Sequence, residues 1–366
     1  EFSGRASRFR AGGDSFALLF MAPRATAQMI GDALVKLCGE PYLVAARNIF
    51  APASVGVAGG AKDGAELIRQ AEIALLAAKR QGGASARIYA PDIEPLARAD
   101  AVALESELRQ ALDDKQLDVF YQPIIHVPDR AVAGFEALLR WHHPLKGLVA
   151  PADFIALSEE TGLIVALGRF ALARAADDLA QWQRYFPLSP PLFVSVNVSP
   201  RQLREVGLES QIRAILATGH IAPGTFHLEI TESAVAEEPE MPMILARLRG
   251  MGAGLSIDDF GTGTSSLSQF RHMPFDTVKV DRSFLVRHGG TDVDADGEMV
   301  LGSVVNLAHD LKRRVVVEGV ESERDIAFLA RLQCEFAQGY FFAPPLTAAD
   351  ALAFIARHYD SATALP

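Results

Sequence analysis

The stretch Leu117-Asp118-Val119-Phe120-Tyr121-Gln122-Pro123-Ile124-Ile125-His126-Val127-Pro128-Asp129-Arg130-Ala131-Val132-Ala133-Gly134-Phe135-Glu136-Ala137-Leu138-Leu139-Arg140-Trp141 decides the fold. Two runs rich in β-branched and aromatic residues, 117–125 and 133–141, read as strands joined by the short connection 126–130. A parallel pair needs a crossover of a dozen or more residues, so these two strands must be antiparallel. Downstream, short β-branched runs alternate with helix-length amphipathic segments, the pattern of a mostly parallel sheet covered by helices. Strands are expected at 193–199, 226–232, 254–260, 277–281, 314–320 and 336–342. With the first pair they make about eight, the number that closes a β/α barrel. A standard barrel of that kind does not begin with an antiparallel pair.

Upstream the texture is different. Residues 1–95 are rich in Ala and Gly and carry one strand-turn-strand signal, from Phe9 to Phe20 around Gly12-Gly13-Asp14. The glycine pair supplies the positive φ of a tight hairpin. Helices are expected at 27–37 and 65–81, and a strand at 54–58. Ala90-Pro91-Asp92 marks a boundary, which divides the chain into segments 1–95 and 96–366.

Composition bounds the function. The 366 residues are 49% hydrophobic and carry a formal net charge of -10, which argues against a partner such as long nucleic acid. No apolar run reaches the length of a membrane span, and the N-terminus lacks the pattern of a signal peptide, so a cytoplasmic location is expected. Cys38 and Cys334 stand far apart, which excludes a disulfide framework and a cysteine metal knuckle; both are expected in the core.

Nearly every expected strand carries polar residues in or at the end of an apolar run. These are Gln122, Glu136 and Arg140, Asn197, Glu229 and Glu232, Asp258 and Asp259, Lys279 and Asp281, Glu318 and Glu321, and Gln338. Taken singly, each has an ordinary explanation. Glu136 suits a half-exposed strand face, Asp258-Asp259 a helix cap, Lys279 the surface, and Asn197-Val198-Ser199-Pro200 a helix entry. Arg140 serves equally as a phosphate clamp or a brace for the barrel rim. Their concurrence favours a site, because strand ends converge at one mouth of a barrel.

Carboxylates gathered there cannot all stay ionised without a cation. Oxygen ligands suit Mg²⁺ or Mn²⁺, and two such ions about 4 Å apart would promote in-line displacement at phosphorus. Lys279 would position the attacking water or neutralise charge on the phosphorane. The loop that opens with Asp259 and runs through Gly261 to Ser266 is rich in small residues and suited to flex. Asp292-Val293-Asp294-Ala295-Asp296-Gly297 imitates the start of a calcium loop, but Ser303 replaces the closing glutamate and a solvated acidic loop explains it as well.

These motifs resemble the EAL-domain family. Glu136-Ala137-Leu138 matches its signature, and agreement extends through Tyr121-Gln122-Pro123-Ile124, Asn197-Val198-Ser199, Glu229-Ile230-Thr231-Glu232, the Asp258-Asp259-Phe260-Gly261 loop start, Val278-Lys279-Val280-Asp281, Glu318-Gly319-Val320-Glu321 and Gln338-Gly339-Tyr340. The resemblance covers about residues 100–360 and implies an α/β, TIM-like β/α barrel with one antiparallel strand. It implies hydrolysis of cyclic-di-GMP to linear pGpG with two Mg²⁺ or Mn²⁺ ions. Glu136, Asn197, Glu229, Asp258, Asp259 and Glu318 would be metal ligands. Lys279, Glu318, Glu232 and Glu321 would serve catalysis, Lys279 at the nucleophilic water and Glu232 as anchor of the loop after Asp259. Gln122, Glu136, Leu138, Arg140, Asn197, Asp281 and Gln338 would contact the dinucleotide. Thr264 departs from the aromatic residue common in the family, which bears on loop stiffness and on the homodimer the resemblance implies.

Residues 1–95 resemble the back half of a GGDEF domain, a partial α+β segment, through Arg8-Phe9-Arg10-Ala11-Gly12-Gly13-Asp14-Ser15-Phe16, Ser54-Val55-Gly56-Val57-Ala58 and the helix around Ala71 to Arg80. Its front half is absent from this sequence and Ser15 replaces an acidic residue, so cyclase activity is not expected; Glu1-Phe2 reads as a cloning remnant. The rival reading for the barrel is a non-catalytic cyclic-di-GMP receptor, and a second is a barrel enzyme acting on another phosphodiester.

Overall fold

Alternation along a strand sends successive side chains to opposite faces, and in this chain that alternation separates chemistry from packing. The computed structural model describes residues 6–12, 15–40, 42–44, 47–49, 52–80, 83–91, 93–149, 151–237, 240–261, 271, 273–285 and 295–363. Gly13 and Asp14 of the hairpin signal, Thr264 with the rest of its loop, and Asp292, Val293 and Asp294 lie outside them. The chain forms two compact units, Glu1–Ser106 and Glu107–Pro366, and the helix Ile93–Asp113 runs through the division.

The second unit is a closed barrel of strands β1 (Leu117–His126), β2 (Val132–His143), β3 (Phe193–Asn197), β4 (Phe226–Thr231), β5 (Gly254–Phe260), β6 (Thr277–Val280), β7 (Arg314–Val317) and β8 (Phe336–Gln338). Each pairs with the next, β8 closes onto β1, and β2 pairs in parallel with β3. Only β1 runs antiparallel to both neighbours. The tight connection anticipated after His126 is a turn in which Arg130 takes φ 60° and Asp129 Oδ1 accepts the Ala131 N–H at 3.0 Å. A further strand, Gly147–Val149, pairs only with the end of β2.

Outward-facing Val194, Val196, Leu228, Ile230, Leu255, Ile257, Val278, Val280, Val315 and Val317 pack against buried helix residues such as Leu172, Leu179, Ile212, Leu245, Val305 and Leu329. Burying each such aliphatic side chain stabilises the fold by about 1.5–3 kcal/mol. The antiparallel strand is tied down separately. Tyr121 packs edge-on against Trp182, with ring centroids 4.8 Å apart, and donates its hydroxyl proton to Asp178 Oδ2 at 2.5 Å, which also accepts from Arg174 Nε at 2.9 Å. Burial, and then the Asp178 charge, raises the Tyr121 phenol well above its ordinary range, so it stays a donor.

Inside the barrel, Ile124, Phe193, Val316 and Phe336 form a second apolar cluster that fills the end away from the carboxyl termini of the parallel strands. Gly134 faces it from β2; a Cβ there would lie 2.3 Å from Phe193 O, so the close approach requires glycine. His227 stacks beside Phe193 at 5.2 Å and contacts Ser256 Oγ through Nδ1 at 3.1 Å.

Several strands stop short of the expected ends. At 199 the chain has already left β3, because Ser199 caps the helix Pro200–Leu203 in a capping box with Gln202. Strand β4 ends at Thr231 because Glu232 opens the helix Glu232–Glu237. Strand β7 ends at Val317, since Gly319 at φ 73° turns the chain away. Strand β8 ends at Gln338, where Gly339 lies so close to Val320 that a Cβ would sit 2.1 Å from its carbonyl oxygen.

In the first unit, Ala6–Gly12 and Ser15–Phe20 form the antiparallel hairpin. The helices expected at 27–37 and 65–81 are Arg24–Cys38 and Gly64–Arg80. Val55–Val57 pairs in parallel with Ala86–Ile88, a strand without a periodic signal, and the Gly64–Arg80 helix packs so closely that a Cβ on Gly56 would lie 2.1 Å from Ala71 O. Tyr42–Val44 and Arg47–Ile49 add a small antiparallel pair that was likewise not foreseen. Of the cysteines, Cys334 is buried in the barrel core as expected, whereas Cys38, at the last turn of its helix, is half-exposed. Among the described residues no helix is long and apolar enough to cross a membrane.

Candidate active site at the carboxyl mouth of the barrel

The inward positions near the carboxyl ends of the strands are polar, and they converge on Lys279. This lysine, on β6, is 1% exposed. Its Nζ lies 2.7 Å from Glu318 Oε1, 3.0 Å from Glu136 Oε2, 3.0 Å from Glu229 Oε2 and 3.5 Å from Asp258 Oδ1. The four carboxylates come from β2, β4, β5 and the residue just past β7, so the arrangement exists only when the barrel is closed. Glu136 is a second hub. Its Oε1 accepts from Asn197 Nδ2 at 2.8 Å, and its Oε2 accepts from Gln338 Nε2 at 2.8 Å, which also reaches Gln122 Oε1 at 3.0 Å. Residues from β1, β2, β3 and β8 thus share one network.

The adjacent Asp258 and Asp259 owe their common placement to a break in register. Ile257 pairs with Val278 and Phe260 with Val280, so two residues of β5 stand opposite the single Lys279 of β6. This is a β-bulge, and it re-aims side chains that would otherwise alternate across the sheet. Asp259 takes the extra bend at φ 53°, a left-handed conformation that aspartate tolerates better than most residues. Gly261, at φ 91°, donates its N–H to Glu232 Oε2 at 2.8 Å, which ties the start of the loop to a buried carboxylate on the helix that follows β4.

Charge in this cluster is unbalanced. Burial would strip the proton from Lys279, but Asp258, Glu136, Glu229 and Glu318 together hold it well above the ordinary lysine range, so it is a fixed cation. Burial would raise Glu136, yet Lys279 and the hydrogen bonds from Gln338 and Asn197 overcome this and hold it low. Glu229 goes the other way: burial pushes it well up, Lys279 opposes, and Glu136 and Asp258 push it further. Burial likewise lifts Glu318 to about 8 against the pull of Lys279, with Asp258 and Glu136 adding to the rise. Asp259 is lifted to about 6 by desolvation and then by Asp258 and Asp281. One ammonium does not neutralise five carboxyl groups.

That excess of oxygen donors is of a kind that could hold hard cations. The oxygen atoms belong to Glu136, Glu229, Asp258, Asp259 and Glu318, and Asn197, having committed its amide N–H to Glu136, has its carbonyl oxygen to offer. Asp258 Oδ1 is buried and accepts no hydrogen bond among the described residues, which marks it as an acceptor awaiting a partner. Among the described residues, no three acidic, histidine or cysteine groups stand ready-made around an empty coordination point. Instead the carboxylates surround Lys279 Nζ.

The remaining candidates stand apart from the Lys279 network. Arg140 is half-buried, bonds its own strand at Leu139 O at 2.9 Å and lies 5.7 Å from the Phe120 ring centroid. Leu138 stands opposite Phe120 in the β1–β2 register. Asp281 accepts the Ser283 N–H at 2.8 Å and so begins the turn Arg282–Leu285. Glu321 is exposed, with its backbone N–H bonded to Asp325 Oδ2 at 3.0 Å. Sequence reasoning did not reveal Phe120 beneath Arg140, for which strand alternation is the only signal, nor the Glu232–Gly261 bond in atomic detail.

Comparison with known proteins agrees with this architecture. The family model described as EAL domain matches residues 105–345. The chain is 36% identical over 354 residues to the bifunctional diguanylate cyclase/cyclic di-GMP phosphodiesterase MucR of Pseudomonas aeruginosa, covering 95% of this chain and 50% of that protein. It is 36% identical over 363 residues to the cyclic di-GMP phosphodiesterase NbdA of the same organism, covering 97% and 46%. Among solved structures, the PaMucR phosphodiesterase in its c-di-GMP complex superposes with a TM-score of 0.63 at 37% identity, covering 68% of this chain and 99% of that one. The chain spans about half the length of the curated relatives it matches. It belongs to the EAL-domain family.

Proposed function

We propose that this chain hydrolyses cyclic-di-GMP to linear pGpG with the help of two Mg²⁺ or Mn²⁺ ions. The observation that carries the reading is the convergence of four carboxylates on Lys279 at the barrel mouth, in a chain that aligns over 95–97% of its length with relatives named for this activity. Glu136, Asn197, Glu229, Asp258, Asp259 and Glu318 would hold the ions, which when bound would lower the pKa of a water and stabilise charge on phosphorus.

In the reaction a water oxygen bonds to phosphorus and the P–O bond to one ribose oxygen breaks, with that oxygen leaving protonated; one ring-closing ester opens and no oxidant or reductant is needed. Lys279 would act at the attacking water from the centre of the carboxylates. Its part is to donate hydrogen bonds and place positive charge beside the developing anion. Gln338 donates to Glu136 and is itself held by Gln122, whose Oε1 accepts from Gln338 Nε2. Glu232 holds the loop that follows Asp259 at Gly261, and Glu321 stands at the rim. Arg140, Leu138 and Asp281 would contact the dinucleotide, Arg140 being braced by Phe120.

The proposal extends to the first unit as a degenerate GGDEF domain. Support comes from alignment with relatives over 92–98% of this chain, well beyond the EAL match, and from one relative's description as a bifunctional cyclase and phosphodiesterase. With Ser15 in the signature, no cyclase activity is expected. A cytoplasmic location and an EAL-mediated homodimer complete the proposal by family analogy.

The test is incubation of the chain with cyclic-di-GMP and Mg²⁺ or Mn²⁺. Linear pGpG formed with metal and not with a chelator supports the reading. Tight binding of cyclic-di-GMP without product would make the barrel a receptor, and equal turnover of a generic phosphodiester would make it an enzyme of broader substrate class.

A further inference from the structure

The position of Lys279 carries more than a catalytic role. In a barrel mouth built for divalent cations, the atom at the centre of the carboxylates is Nζ itself, within 3.5 Å of Glu136, Glu229, Asp258 and Glu318. Each of those four residues turns one carboxylate oxygen towards Nζ, and among the described residues no three acidic, histidine or cysteine groups form a ready-made coordination point beside them. An ammonium at 2.7–3.0 Å from three carboxylates satisfies them much as a cation would, through three N–H donors. Asp258 Oδ1, at 3.5 Å, is left over and accepts no hydrogen bond among the described residues. One cation thus serves a cage whose charge calls for more.

We infer that Lys279 is a resident counter-ion of the metal-free protein, occupying the cage and holding its carboxylates together until divalent cations displace its ammonium from them. The inference rests on the metal-dependent reading above and concerns how the metal enters. Without a cation the cage would place several carboxylates side by side in a buried mouth, an arrangement that costs stability or forces them to take up protons. Lys279 removes that cost in the empty protein. It also raises the barrier to loading, because each incoming ion must break contacts that the ammonium already makes. The lysine side chain is long and jointed, so Nζ can swing off three carboxylates without moving β6.

The carboxylates are therefore pre-assembled in the unloaded state, and metal affinity is set by an exchange between an internal cation and an external one. Weak, readily reversible loading follows, and the protein stays folded when metal is scarce.

The experiment uses the full chain freed of metal by chelation. Mn²⁺ affinity is measured by calorimetry for the wild type and for Lys279→Met, and thermal unfolding is followed for both with and without Mn²⁺. The variant is expected to melt lower than the wild type when metal-free, to bind Mn²⁺ about ten- to a hundredfold more tightly, and to gain more in Tm on loading. Should the variant fail to fold, the wild type answers alone by nuclear magnetic resonance. The ¹⁵N-lysine ammonium signal of Lys279, shielded from solvent exchange in the metal-free protein, is expected to shift and lose its protection as Mg²⁺ is titrated in. Metal binding that leaves this signal unchanged, or a variant that binds Mn²⁺ no more tightly than the wild type, overturns the inference. Absence of Mn²⁺ binding by both proteins overturns it together with the metal-dependent reading, whereas binding without the exchange signature overturns it alone.

Discussion

The two ends of the barrel bury a titratable base each and treat it in opposite ways. At the carboxyl mouth, Lys279 meets four carboxylates and is held charged. At the other end, His227 meets the Phe193 ring, the backbone of Gly254 and the field of Arg314, and burial followed by that positive charge pushes it down to about 3. Both residues sit on inward positions of their strands, and His227 shares β4 with Glu229 of the site. Burial alone does not decide protonation; the neighbours supplied by adjacent strands do. One end is an apolar plug that fixes the barrel's diameter, and the other is a reservoir of negative charge that function can use.

The comparison breaks most severely if a cation is placed at the wrong end. His227→Lys puts an ammonium among Phe193, Gly254 and Arg314 with no cage to receive it, and is expected to lower stability by about 3–5 kcal/mol in urea unfolding. Retention of wild-type stability would show that the plug is polar enough to host charge.

A milder test uses acid. The unfolded chain protonates His227 near 6.5 while the folded one resists to about 3, so the unfolded state binds the extra proton between those values. Stability is therefore untouched by this group above pH 6.5 and falls as pH drops below it, by about 2 kcal/mol at pH 5. Urea titrations of wild type and His227→Gln at pH 7.5 and pH 5 isolate the effect as the difference between their acid losses. Equal losses in both proteins would contradict the assignment.

The smallest effect is expected where charges pair in water. Arg331 and Glu298, 3.4 Å apart and both well exposed, form a bridge of a kind that contributes less than about 0.5 kcal/mol. Glu298→Gln, which leaves Arg331 over the Phe328 ring, should therefore leave the urea midpoint nearly unchanged, unlike any change inside the cage.

How much of this was legible beforehand follows from the range of each signal. The strand pattern and the short connection after His126 are local, so the barrel and its antiparallel strand could be read from the sequence, as could the polar residues interrupting apolar strands. Strand ends were misplaced wherever capping or glycine geometry took over, as at Ser199, Gly319 and Gly339. Three-residue strands such as Ala86–Ile88 and Gly147–Val149 are too short to show periodicity. In the site, the membership of Glu136, Glu229, Asp258 and Glu318 could be proposed from residue type, but their common contact with Lys279 joins residues from four strands and has no local signature. Lys279 alone reads as readily as a surface lysine; only closure of the barrel buries it.

The most direct test of the account compares cyclic-di-GMP turnover by wild type and Glu136→Ala under saturating Mn²⁺, with thermal unfolding recorded for both. Removing Glu136 leaves Glu229, Asp258 and Glu318 around Lys279, so the fold should persist while turnover falls by about a thousandfold or more. A folded variant that hydrolyses cyclic-di-GMP at the wild-type rate would contradict the claim that the Lys279 cage is the reaction centre.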